Sequence, residues 1–129
     1  MQTITTAAST SVPGAVKTYV PVAPQVSQSP ARWGDNSAGV LPKYRPRATS
    51  MFTSGAQNGK TTVRYVRPLF YTESTTGRVM PNGNITVDIV ISAPLVCEPT
   101  DISAAIGQCV AIAMAPEVKA AIEDRRPNV

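Results

Sequence analysis

The residues best suited to chemistry lie between Gly55 and Ile91. Lys60, Thr62 and Arg64 recur at every second position, and Asn84, Thr86 and Asp88 repeat that spacing further along. A period of two puts such residues on one face of an extended strand. Bases interleaved with hydroxyls suit a phosphate–sugar backbone: the cations hold phosphates, while Asn58 and the threonines read sugar or base edges. The opposite face of the same strands carries Thr61, Val63 and Tyr65, then Ile85, Val87, Ile89 and Ile91. One wet basic face and one apolar face are therefore expected, and the basic face is the candidate site.

Other chemistries find little support. The chain has no histidine, the commonest general base and metal ligand. Two cysteines, Cys97 and Cys109, are too few for a zinc site. Cys109 falls on an apolar helical stripe and is expected to be buried. Gly59-Lys60-Thr61 resembles the end of a phosphate-binding loop, but that motif needs glycine at position 54, which is Ser54, and a helix afterwards. The residues after Thr61 read as β-branched strand instead. Asp88 reads as a solvated or ion-paired acid rather than a catalytic one. No catalytic residue, metal site or cofactor is expected. The basic face also lacks an aromatic platform: alternation turns Tyr65 to the other side, and Phe70 is as readily core.

The elements that must position these residues can be read from patterning. With 129 residues, the chain is read as one domain spanning 1–129. The formal net charge is +4, concentrated in the middle. Lys43, Arg45, Arg47, Lys60, Arg64, Arg67 and Arg78 are opposed there only by Glu73, whereas acids prevail from Glu98 onward. A basic middle points to a polyanion partner. The N-terminus lacks the pattern of a signal peptide, and no apolar run approaches bilayer length. A soluble protein made in a reducing cytoplasm, with no membrane partner, is expected.

Residues 1–22 read as an N-terminal hairpin turning at Pro13-Gly14, with Pro21 at a sheet edge. Ala23–Pro42 is mostly loop, except for a short strand at Ala31-Arg32-Trp33 whose tryptophan is a core anchor. Lys43–Thr53 is a further strand, and Asn58-Gly59 marks a tight hairpin turn. The main sheet is placed at 31–92, with a loop from Thr72 to Asn84 before its last strand. Two helices within 100–126 close the chain. Thr100 is the expected cap, and Ile102, Ala105, Ile106, Cys109, Val110 and Ala113 form an apolar stripe. Pro116 starts the second helix, whose stripe is Val118, Ala121 and Ile122. Strands first and helices last indicate α+β: an N-terminal β-hairpin, an antiparallel sheet of about five strands and two C-terminal α-helices. Helices this short must lie on a sheet, their own or a partner's.

The run Ser54-Gly55-Ala56-Gln57-Asn58-Gly59-Lys60 leading into an alternating strand resembles the central hairpin of single-stranded RNA bacteriophage (levivirus) coat proteins. Ala31-Arg32-Trp33 resembles the family's Trp-bearing strand, and Arg78-Val79-Met80-Pro81 its proline-containing loop. Asp88 to Ile91, then Cys97 and the helix from Asp101, resemble its end. The resemblance implies an intertwined dimer with one continuous sheet, each chain's helices reaching over its partner's sheet. It also implies self-assembly into an icosahedral shell in the bacterial host cytoplasm, giving a virion that packages single-stranded RNA on the inner sheet face.

Carried over by position, the RNA face comprises Ser50, Ser54, Asn58, Lys60, Thr62, Arg64, Asn84 and Thr86. Gly77, Pro81 and Gly83 form the loop that adapts to different shell environments. In the family one RNA stem-loop on this face also represses replicase translation. The chain departs from the pattern at Gly55, at Asn84, where the family has a stacking tyrosine, and at Phe52, where it has a base. A small nucleic-acid-binding dimer that builds no shell is the alternative reading, and an enzyme with a site on the 72–84 loop a third.

Overall fold

The computed structural model describes residues 1–6, 17–36 and 41–127. The chain forms two compact units, residues 1–92 and 93–129. The first is a six-stranded sheet in sequential order, β1 (Ile4–Thr5), β2 (Thr18–Ala23), β3 (Ala31–Asp35), β4 (Arg47–Ser54), β5 (Asn58–Thr72) and β6 (Val79–Pro94). The N-terminal hairpin is thus the first part of this sheet: Ile4 pairs with Tyr19 and Thr5 with Thr18. Its expected turn at Pro13-Gly14 lies outside the described residues. Pro21 sits beyond the two β1 pairs, where its missing N–H costs no ladder bond, and a register shift separates it from Ala23.

Several expected boundaries move. Pro42–Tyr44 is a 3₁₀ turn, so the strand expected from Lys43 begins at Arg47. The proline-bracketed segment Pro42 to Pro46 cannot supply a continuous run of ladder donors. Gly55 N–H donates to the Asn58 carbonyl at 2.8 Å, which places the hairpin tip at Ala56-Gln57. Asn58 and Gly59 already belong to β5, and neither has the positive φ that an Asn-Gly turn would need. The connection expected over Thr72–Asn84 shrinks to 73–78. There Gly77 N–H donates to the Glu73 carbonyl, Glu73 N–H donates to the Arg78 carbonyl, and Thr76 Oγ1 donates to the Glu73 carboxylate. Pro81 and Gly83 lie within β6; Gly83 has φ 85° and Gly77 φ 67°.

The protected part of the sheet unit is small. Tyr19, Ala31, Tyr44 and Asp35 are buried. Tyr19 meets Tyr65 edge-on at 6.2 Å, with a long hydroxyl–hydroxyl hydrogen bond of 3.5 Å. Burial first, and then this bond, push the Tyr19 hydroxyl above its usual pKa. Tyr44 packs on Phe70 at 5.1 Å and donates its hydroxyl to the Val79 carbonyl. Trp33, expected as a core anchor, is only half-buried, and its indole N–H donates to the Gln2 carbonyl at 3.1 Å. Ahead of the first residue of β3, the Gln25 side chain takes the place of a strand against β4. Its amide nitrogen donates to the Phe52 carbonyl at 2.8 Å, and its oxygen accepts the Phe52 N–H at 2.9 Å.

The second unit holds α1 (Pro99–Met114) and α2 (Pro116–Asp124), bent by 62° at their junction. Pro99 rather than Thr100 opens α1, with Glu98 as its N-cap and no side-chain cap. Proline suits that first position because its absent N–H has no helical partner there. Pro116 opens α2 in the same way, as expected. Arg125 ends it in a left-handed turn, with Arg126 N–H donating back to the Ala121 carbonyl. The stripe of α1 is present in register, with Ile102 and Ile106 half-buried and Ala105, Cys109, Val110 and Ala113 exposed. None of its residues is buried, and Cys109, expected in a core, is exposed. No single helix among the described residues is long and apolar enough to cross a membrane.

Candidate nucleic-acid interface

Residues paired directly across antiparallel strands share a face. Register therefore decides which side chains can act together. β4 and β5 pair without interruption: Arg47 with Val66, Thr49 with Arg64, Met51 with Thr62 and Thr53 with Lys60. On β3, Arg32 pairs with Thr49 and Gly34 with Arg47. One face thus carries Lys60, Thr62, Arg64, Arg47, Arg32, Thr49 and Thr53. It holds four basic residues amid hydroxyls, and Lys60, Arg64, Arg47 and Arg32 are all exposed. Asn58 joins it by alternation along β5. The strand propensity of the threonines and valines supports the extended backbone that sets this spacing.

The same register corrects the expected set. Ser50 pairs with Val63 and Ser54 with Gly59, so both serines lie on the opposite face, with Tyr65. Their places beside Lys60 and Arg64 are taken by Thr49 and Thr53, which alternation along single strands does not reveal. A one-residue difference in pairing moves a strand's whole set of side chains to the other side. The signal that could have found them is the two-residue length of the hairpin turn: it pairs even-numbered residues of β4 with odd-numbered residues of β5, so Ser50 and Ser54 cannot share a face with Lys60 and Arg64 wherever along the run the tip falls.

On β6, Asp88 lies on the basic face, because its carboxylate grips the Arg64 guanidinium. Arg64 Nε donates to Oδ1 at 2.7 Å and a terminal nitrogen donates to Oδ2 at 3.0 Å. Asn84 and Thr86 share that face by alternation and are exposed. The hydrogen bond from Arg64 holds the Asp88 carboxyl below its ordinary 3.8, and the same contact raises the already high pKa of Arg64. Both ions are present at neutral pH, so Arg64 is partly neutralised while Lys60, Arg47 and Arg32 carry the face's remaining charge. Of the loop residues, Gly77 lies in the 73–78 turn, whereas Pro81 and Gly83 lie in β6. They form no common surface with the basic set.

The other face of the strands carries Phe52, Ile85, Val87 and Ile89, which are 49%, 47%, 50% and 38% exposed. β6 ends the strand order, so among the described residues its outer edge has no neighbouring strand. A sixteen-residue edge of this kind presents a row of backbone donors and acceptors flanked by apolar side chains.

A sequential six-stranded sheet followed by two helices is the fold of levi-like phage coat proteins. The solved virus-like particle of bacteriophage NT-214 matches with a TM-score of 0.79 at 16% identity, over 98% of this chain and 97% of that one. The virus-like particle of Beihai levi-like virus 21 matches at 0.77 and 12% identity, over 97% and 94%. The bacteriophage GA protein capsid matches at 0.67 and 20% identity, over 87% and 86%. No protein-family model and no curated protein sequence matches. The likeness resides in the fold, and it extends over nearly the whole of both chains in the first two cases.

Proposed function

We propose that this chain is the structural coat protein of a single-stranded RNA phage, which self-assembles into a shell and holds the packaged RNA on its basic sheet face. The observation that carries the reading is the end-to-end likeness to subunits of virus-like particles. Features of the chain itself agree with it. The outer edge of β6 and the largely exposed stripe of α1 both need a partner, and a second copy supplies one by two-fold pairing of β6 with β6. Two sheets then become one continuous sheet, and each chain's helices cover the apolar face of the other. Gly77 in the connection between β5 and β6, with Pro81 and Gly83 at the start of β6, gives this end of the hairpin its freedom to adapt at shell contacts. The basic face, opposite the apolar one, is left for RNA. The product is a virion assembled in the bacterial cytoplasm. A replicase-repressing stem-loop complex would use this same face.

Electron microscopy of the purified recombinant protein, with nuclease-resistant RNA measured in the same fraction, tests this. Uniform shells that protect RNA are expected. Small soluble dimers without particles, even when RNA is supplied, would overturn the shell and favour a non-capsid RNA-binding dimer. Ile89→Asp, which sets a charge in the apolar face, is expected to abolish particles and leave a smaller species in size-exclusion chromatography.

A further inference from the structure

The basic face continues into a cleft. Val20, Val22, Gly34 and Arg47 from β2, β3 and β4, together with Pro42 and Arg45, line a cavity of about 320 Å³. Asp35 N–H donates to the Pro46 carbonyl at 3.0 Å, and an Arg45 terminal nitrogen donates to Asn36 Oδ1 at 3.1 Å, so its two sides are tied together. Gly34 leaves room in it. Its backbone is not left-handed, and a Cβ there would meet only Val22 Cγ2, at 3.5 Å, an ordinary contact. Neither strain nor crowding calls for glycine, so the missing side chain acts by keeping the cleft open. The pairings of Gly34 with Arg47, and of Arg47 with Val66, put the cleft on the face of Lys60 and Arg64. β3 is two strands from β5, about 10 Å across the sheet.

We propose that this cleft binds one nucleotide of single-stranded RNA, with the base against Val20, Val22 and Pro42 and its phosphate toward Arg47. The proposal rests on the reading of the basic face as the RNA side. A mixed lining, with Val20, Val22 and Pro42 beside Asn36 and two guanidiniums, suits a flat base joined to an anion, and guanidinium planes stack on bases as well as pairing with phosphates. A free anion has no use for the apolar side chains, and an apolar ligand none for the arginines. The one acid lining the cleft, Asp35, is buried and faces Lys17 at 3.4 Å. The volume is at the small end of ligand sites, which fits a single nucleotide rather than a helix of RNA.

The test is photo-crosslinking of the purified protein to short single-stranded RNA containing 4-thiouridine, with crosslinked peptides mapped by mass spectrometry. Crosslinks are expected at residues 20–22 or 42–47 as well as on β5. Gly34→Leu, which fills the cleft, is expected to remove the former, keep the latter and weaken binding about fivefold, the low end of what one stacked base contributes. Arg47→Gln, at an exposed position, provides a second variant that leaves packing alone, and the same selective loss is expected. Crosslinks on β5 with none in the cleft would overturn the proposal and leave the RNA face standing. Cleft crosslinks that survive both variants would also overturn it. Crosslinks in the cleft with none on β5 would sustain the nucleotide site and overturn the wider basic face.

Discussion

Asp88→Asn should change how RNA binding responds to salt. In the wild type the carboxylate grips Arg64 by two hydrogen bonds, of 2.7 and 3.0 Å, on the face proposed for RNA. A phosphate must compete with that grip. Asparagine keeps the shape, removes the charge and releases one guanidinium for phosphate. Each phosphate neutralised on a single strand adds about 0.7 to the slope of log affinity against log salt. The variant should therefore bind more tightly at low salt, with a slope steeper by about 0.7. A fourfold rise in salt would erode its affinity about 2.6-fold more than that of the wild type. Both side chains are substantially exposed, at 55% and 38%, so folding stability should change little. Fluorescence anisotropy with a labelled single-stranded RNA across a salt series measures the slope. Adding Arg64→Gln to Asp88→Asn should return it to the wild-type value, which separates a freed arginine from simple loss of a repelling acid. An unchanged slope in Asp88→Asn would refute the reasoning. The same ion pair sets the sign of the pH dependence. Because the folded pKa of Asp88 is depressed, its interaction with Arg64 is fully present above 3.8 and is lost only as pH falls through the lower folded value. Wild-type binding should owe no pH dependence to this pair at neutral pH, and should approach the variant's behaviour only in strong acid.

Two further outcomes can be checked by urea unfolding. Gly77→Ala and Gly83→Ala should each cost about 1 kcal/mol from backbone strain alone, since φ is positive at both and nothing lies within 4 Å of an added Cβ; asparagine should recover part of the loss, and equal stability of the alanine variants would show that the left-handed backbone at these positions is not maintained in solution. Gln25→Leu removes both hydrogen bonds to the Phe52 backbone and should destabilise by about 1 kcal/mol, the side chain's exposure limiting the effect. An unaltered unfolding midpoint would mean that water replaces the amide there at no cost.

The sequence by itself determined what depends on neighbours along the chain. Alternation from Lys60 to Val66 and from Asn84 to Ile91 set two long strands and gave each a polar and an apolar side. Pro116 and the stripe from Ile102 to Ala113 marked the helices, and the order of elements settled α+β. Tertiary structure decided which strands' faces coincide. Ser50 and Ser54 have the right chemistry for RNA, but the pairing of Thr49 with Arg64 sends them to the other side, because the side-chain period in a strand is two and one residue of register reverses it. The grip of Asp88 on Arg64 spans 24 residues, and the cleft gathers residues from three strands and the turn before β4. No local pattern encodes either. The same holds for Cys109: the helical period placed it on an apolar stripe, but burial depends on what covers that stripe, and among the described residues nothing buries it.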